Sequence, residues 1–246
     1  MKRVQMIILI ISLYGLTGAA FWVASVRSVK FFPYIDSYAW QSVPDANNGG
    51  SNNFEITSSI NGPKNMRGWM AFNISVIPPD SWIINAELRL RIWHKTTNDP
   101  SQGTLDSTGR TYGVYRVTQS WQEYNISWTN QPAYTETHYS TAPVPPGQGG
   151  WNRPLFWMEW DLTYIVKDWH SGAKNYGISV RETQEDSPVL ISTQFFTHDT
   201  PNQSYYPRLI VTYVRPLSVV LFVAVLAAET IFMTTLWRKK LSHSDK

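Results

Sequence analysis

Glu87–Leu88–Arg89–Leu90–Arg91–Ile92 alternates charged and apolar side chains without a break. Successive side chains of an extended strand point to opposite faces. This stretch therefore offers Leu88, Leu90 and Ile92 to a core and Glu87, Arg89 and Arg91 to water. The same period recurs on either side, in Trp69, Ala71 with Phe72, and Ile74, in Ile178 and Val180, and in Leu209, Val211 and Tyr213. Turn-forming clusters separate the bursts: Asn47–Asn48–Gly49–Gly50, Asn61–Gly62–Pro63, Pro78–Pro79–Asp80, Asn98–Asp99–Pro100 and Pro145–Pro146–Gly147. Many short alternating strands joined by such turns predict an all-β domain, a β-sandwich or a barrel. One short helix interrupts them. Tyr164–Trp169 follows Asp161 and Thr163, either of which suits a cap, and Gly172 suits the position after its end. Ile165, Val166 and Trp169 form its apolar face. Thr97–Gly109 and Tyr139–Gly150 read as long surface loops, the second too rich in Pro and Gly to pack.

The ends of the chain have a different character. Met6–Val26 is apolar and uncharged behind Lys2 and Arg3, and such a run is long enough to cross a bilayer core. It reads as a transmembrane anchor or as a cleaved signal peptide, with Gly18–Ala19–Ala20 as the small-residue cleavage site. Leu217–Trp237 is a second run of spanning length, followed at once by Arg238–Lys239–Lys240. Basic flanks stay on the cytoplasmic side, so the region between the runs is expected outside. Glu229 breaks the second run, and a carboxyl at that depth is either protonated and tolerated or in contact with a membrane partner.

Charge follows the same division. The chain holds 21 Lys+Arg, 18 Asp+Glu and no Cys, for a net charge of +3. From Arg27 to Arg215 there are 15 Lys+Arg against 16 Asp+Glu, a net of −1. The basic pI near 9.0 thus belongs to the membrane flanks, and a nucleic-acid partner is excluded. The missing cysteines exclude a disulfide scaffold and thiolate-bound metals. With 43% hydrophobic and 16% charged residues, the chain is also far from the composition of a disordered one.

Several motifs then occur in a specific order. Asp36–Ser37–Tyr38 is followed by Pro44, Asn47 and Gly49, by Arg67–Gly68–Trp69–Met70–Ala71–Phe72 with Ile77–Pro78, and by Ile84–Asn85–Ala86–Glu87–Leu88. Next come Val114–Tyr115–Arg116–Val117, Trp121 with Glu123, and Ser127–Trp128–Thr129–Asn130–Gln131–Pro132. Trp160–Asp161–Leu162–Thr163, Asn175–Tyr176–Gly177–Ile178 and Pro207–Arg208–Leu209–Ile210–Val211 complete the series. Over about residues 31–214 the chain resembles the DNRLRE (disaggregatase-related) domain, a carbohydrate-binding-module-like β-sandwich. The resemblance implies a jelly-roll-type sandwich with one short helix, here flanked by one or two transmembrane helices. Together with the two apolar runs, which many relatives lack, it divides the chain into an anchor or signal at 1–29, an extracytoplasmic sandwich at 30–214, a helix at 215–238 and a cytoplasmic tail at 239–246.

Catalytic signatures are missing. There is no Gly-x-Ser-x-Gly elbow, no His-Glu-x-x-His and no paired-carboxylate cleft motif, so a non-catalytic role is expected. Sugar binding needs aromatic platforms with planar polar groups. Trp40, Trp82, Trp151 and Trp157, with Arg153, are the candidates because their surroundings are less regular than those of the other tryptophans. Trp121, Trp128, Trp160 and Trp169 are expected to pack in the core or at corners. Arg67 and Arg208 are expected to pair with Asp36 or Asp161. No cofactor is expected beyond a structural calcium, which the resemblance allows, with Asp36, Asn47, Asn48 and Asp161 as its oxygen ligands. Asn73, Asn125 and Asn202 open Asn-x-Ser sequons and are candidate glycosylation sites. The expected function is a membrane-anchored module that binds or organises cell-surface polysaccharide. The alternative is an accessory subunit of a membrane or envelope complex, in which the sandwich is an outer cap and Glu229 contacts a partner.

Overall fold

The computed structural model describes residues 15, 26–58, 65–98, 111–143, 157–186, 190–215 and 223–235. Among them are eleven strands: β1 (Val26–Phe31), β2 (Pro33–Trp40), β3 (Asn53–Ser58), β4 (Met66–Phe72), β5 (Trp82–Asn98), β6 (Thr111–Arg116), β7 (Ser140–Pro143), β8 (Trp157–Asp161), β9 (Ile178–Glu182), β10 (Leu190–Phe196) and β11 (Arg208–Val214). The strand order is β1-β11-β5-β10-β3-β4-β9-β6-β7, with β2 also on β4 and β8 on β5. By contact the chain divides into one compact unit of Met1–Ser28, Pro78–Ile84 and Thr212–Lys246 and another of Val29–Ile77 and Asn85–Val211. The groove and the Asp36 cluster described below both lie in the second unit.

The alternating stretch behaves as its period requires. Leu88 and Leu90 are fully buried and Ile92 nearly so, while Glu87, Arg89 and Arg91 are half-buried. β5 is 17 residues long, and its parts have different neighbours. Glu87–Arg91 pairs with β8, whereas Ile92 and the residues after it pair with β10. The register slips between Gln194 and Phe195, which leaves Trp93 without an opposite residue. Such a bulge bends a strand and raises its twist, and it lets β5 turn the corner from one layer of the sandwich to the other.

Aromatic side chains fill the space between the layers. Phe195 of β10 stacks on Phe54 of β3 at 5.4 Å between centroids and meets Tyr112 and Trp160 edge-on. Their polar atoms are satisfied inside: Trp160 Nε1 donates to the Tyr112 carbonyl at 2.9 Å, and the Tyr112 hydroxyl donates to Thr193 Oγ1 at 2.7 Å. A buried indole stays without cost only when its N–H finds such a partner. A second cluster of Ala39, Trp69, Val117 and Ile126 is flanked by Trp121, Trp128 and Tyr176. Trp121 and Trp128 thus pack at this cluster and Trp160 in the first, while Trp169 is buried on the helix.

The helix α1 (Thr163–His170) buries Ile165, Val166 and Trp169. Asp161 Oδ1 accepts the Thr163 N–H at 2.8 Å, and Gly172 takes a φ of +102° where the helix ends. The expected loop after Tyr139 is corrected in part, because Ser140–Pro143 forms β7 and pairs with β6. Ala142 supplies its one buried side chain, too short a signal to stand out among the prolines.

Arg67 and Arg208 also depart from expectation, for neither pairs with Asp36 or Asp161. Arg67 grips Glu185 through Nε and Nη2, at 2.7 and 2.5 Å, donates to Gln131 Oε1 and lies over the Trp128 ring. Its side chain is 13% exposed, and the bidentate fork is a geometry that lysine cannot reproduce. Arg67→Lys is therefore expected to cost about 2 kcal/mol. Denaturant unfolding checks this as a lower midpoint with an unchanged slope.

Residues 223–235 are helical, with Glu229 half-buried. Thr230 and Thr235 turn their hydroxyls to the carbonyls of Leu226 and Ile231. Among the described residues no helix is long and apolar enough to cross a membrane, so the expected flanking transmembrane helices are not seen there. Most of the first apolar run, and both ends of the second, lie outside the described residues. Val26, the last residue of the first run, already belongs to β1.

Candidate functional site

Three neighbouring ladders set the geometry of a groove. Side chains two apart on a strand share a side, so Tyr38 and Trp40 of β2 form one wall, and Asn53, Glu55 and Thr57 of β3 form the other. Met66 of β4 is the register partner of both Trp40 and Thr57, which makes it the floor between them. Gln194 of β10 sits opposite Glu55, and Ser42 contributes from the turn after β2. The cavity these residues line measures about 440 Å³, within the range of small-molecule sites.

Its chemistry is aromatic on one side and polar on the other. Tyr38 and Trp40 are half-buried, so part of each ring faces the groove. Glu55 is held in place by Ser192 Oγ and by Gln194 Nε2, at 3.1 Å for the latter. Burial, opposed by Ser51 and reinforced by the Glu55 charge, raises the Tyr38 phenol above its ordinary value, so it stays a hydrogen-bond donor. Trp40 Nε1 and Thr57 Oγ1 are buried in the walls with no hydrogen-bond partner. Among the described residues no arginine or lysine lines the groove.

The other expected sugar contacts do not gather with Trp40. Trp157, at the start of β8, lies beneath the Arg208 guanidinium at 3.7 Å and near that of Arg91 at 5.6 Å. Its ring is thus already in contact with protein cations. Arg208 also donates to the Ser204 carbonyl, and burial, then the nearby Arg89 and Arg91 charges, lower its pKa. Trp82 is 60% exposed at the start of β5. Trp151 and Arg153 lie outside the described residues.

The expected calcium ligands do not converge either. Asn47 Nδ2 donates to the carbonyls of Glu123 and Ile126, and Asn48 Nδ2 to that of Tyr38. Both amides brace loops. Asp161 faces the start of α1. Asp36 alone belongs to a cluster that could hold an ion, and its companions are Glu123, His198 and Asp199. Contact with Asp36, joined by the Asp199 and Glu123 charges and opposed by burial, raises His198 to about 9. Burial raises Asp36 and Glu123 despite His198. The sequons Asn73, Asn125 and Asn202 are all exposed.

Of the groove residues, Trp40 was among those expected. The period-two pattern Asn53–Phe54–Glu55–Ile56–Thr57 carries the signal for the β3 wall, since Phe54 and Ile56 are core. Gln194 had none, because its place depends on a pairing with a strand far away in the chain.

The model of carbohydrate-binding module family 96 matches residues 27–213. This agrees with the carbohydrate-binding-module-like domain expected from the motifs. No curated protein matches the chain.

Proposed function

The chain belongs to carbohydrate-binding module family 96, and from that premise we propose that it binds polysaccharide in the groove between Tyr38, Trp40 and Glu55. The observation that carries this reading is the pairing of two half-exposed aromatic rings with planar amide and carboxylate groups across one cavity. Sugar rings offer apolar C–H faces to aromatics and hydroxyls to planar polar groups, so each wall suits one side of a pyranose. Glu55 is an acidic acceptor, bonded to Ser192 and Gln194, and among the described residues no cation lines the groove. Hydroxyl-rich uncharged glycans therefore suit it better than uronic acids, whose carboxylates would be repelled.

The module is non-catalytic in this reading and of jelly-roll type. It stands on the outer face of a membrane, held by the apolar runs Met6–Val26 and Leu217–Trp237, and it organises surface polysaccharide. The exposed Asn73, Asn125 and Asn202 would carry glycans of their own in a cell that N-glycosylates.

Affinity electrophoresis of the full chain in detergent tests the proposal, with neutral and uronic-acid polysaccharides cast in parallel gels. Retardation by a neutral polysaccharide is expected, with retention by uronic-acid gels about tenfold weaker and strengthened by Glu55→Gln. Migration unaffected by every polysaccharide would overturn the binding role. Stronger retention by uronic-acid gels would overturn the groove's assigned preference.

A further inference from the structure

Away from the groove lining, β2, the turn Glu123–Asn125 and the segment after β10 bring together four potential ion ligands. Asp36, Glu123, His198 and Asp199 each offer one nitrogen or oxygen, and these atoms all lie within 4.8 Å of one another. Asp36 is only 1% exposed. Its Oδ2 accepts the His198 backbone N–H at 2.9 Å, but its Oδ1 is buried and has no hydrogen-bond partner. His198 Nδ1 stands 2.9 Å from that oxygen and 3.9 Å from Asp199 Oδ2, and neither of those atoms has a hydrogen-bond partner. Three buried polar atoms thus converge: His198 Nδ1 and Asp36 Oδ1 form an ion pair at 2.9 Å that lacks the alignment of a full hydrogen bond, and Asp199 Oδ2 beside them accepts none. Three ligand atoms gathered this closely are an arrangement that a shared ion would satisfy.

The surroundings hold this set in place. The Asp36 N–H donates to Glu123 Oε1 at 3.2 Å. The Glu123 backbone is gripped by Asn47 at 2.8 Å. Gly49 packs so close that a Cβ there would lie 2.6 Å from the Glu123 carbonyl oxygen. Buried ligands supported by further hydrogen bonds are the usual construction of a metal site.

We propose that Asp36, Glu123, His198 and Asp199 bind one divalent first-row ion of the zinc or manganese type. One imidazole nitrogen with three carboxylates suits such an ion, whereas calcium takes six to eight oxygens. The ion neutralises most of the carboxylate charge and ties β2 to the end of β10, across more than 160 residues of sequence. In a chain without cysteine it supplies a cross-link that disulfides cannot.

The test uses full-length protein in detergent, stripped with EDTA and titrated calorimetrically with zinc, manganese and calcium chlorides in turn, with thermal melts alongside. One equivalent of zinc or manganese is expected to bind, and a free ion concentration a hundred times Kd should raise the folded-to-unfolded ratio about a hundredfold. His198→Gln and Asp199→Asn alter partly exposed side chains, so both should fold, as circular dichroism will show. Each should weaken binding at least about tenfold. Asp36→Asn should weaken it further. Failure of zinc and manganese to bind would overturn the site and leave a protonated His198 as what balances the carboxylates. Calcium binding as tightly as zinc, or affinity unchanged in His198→Gln, would overturn the nitrogen-containing ligand set.

Discussion

Trp40→Ala is expected to weaken polysaccharide binding by about thirtyfold, which corresponds to roughly 2 kcal/mol, the threshold of an energetic hot spot. The indole forms one wall of the groove, and truncation leaves a sugar face against water instead of a ring. Part of the ring packs against protein, so truncation also lowers the melting temperature somewhat, and circular dichroism of the variant confirms that it is folded at the temperature of the binding assay. Trp157→Ala is the matched control. It removes an indole of the same size that stacks under Arg208, outside the groove, and should leave retention in a polysaccharide gel unchanged. Equal losses for the two substitutions would show that binding does not depend on the groove. Tyr38→Phe should fall between them, since the ring stays while the phenol donor is lost.

The largest effect on stability is expected from Gly177→Ala. Gly177 has a φ of +87°, in the left-handed region that costs an L-residue about 1–2 kcal/mol. Sterics add to this, because a Cβ there would lie 2.3 Å from the Met70 carbonyl oxygen and 2.9 Å from Ala71. The neighbours cannot yield. Met70 lies in the β2–β4 and β4–β9 ladders, and Asn175 fastens the turn by donating to the Phe72 carbonyl and accepting the Gly177 N–H. Together the two costs come to about 3 kcal/mol or more, or roughly 10 °C in melting temperature for a domain of this size. Gly172→Ala separates the contributions. Gly172 also has positive φ, +102°, but nothing lies within 4 Å of its missing Cβ. It should cost only the conformational part, and comparable shifts for both variants would refute the steric account.

Local patterns proved legible where they were self-sufficient. The Glu87–Ile92 alternation, the apolar face of α1, the Asp161 bond to the Thr163 N–H and the turn at Asn175–Gly177 depend on neighbours within a few residues. The Pro44-x-x-Asn47-x-Gly49 motif is visible too, but the sequence does not show what Asn47 holds: its amide N–H groups go to the carbonyls of Glu123 and Ile126, and its oxygen accepts the Gly49 N–H. What escaped was whatever depends on partners far apart in the chain. Asp36 meets His198 and Glu123 only after β2, β10 and the Trp121–Ile126 loop have folded together, so no spacing rule could reveal the set. Arg67 likewise reaches Glu185 across the β4–β9 pairing. Trp157 shows the opposite failure. An aromatic in irregular sequence looked available, but distant arginines occupy it.

The corner in β5 has a consequence for how ligands are received. One strand is hydrogen-bonded first in one layer and then in the other, so along β5 the layers are not free to part like covers. The strands that form the groove walls are laddered to one another in turn, so their backbones have little freedom to surrender on binding. Recognition should resemble a key meeting a fixed lock, with discrimination set by the ligand's shape before contact.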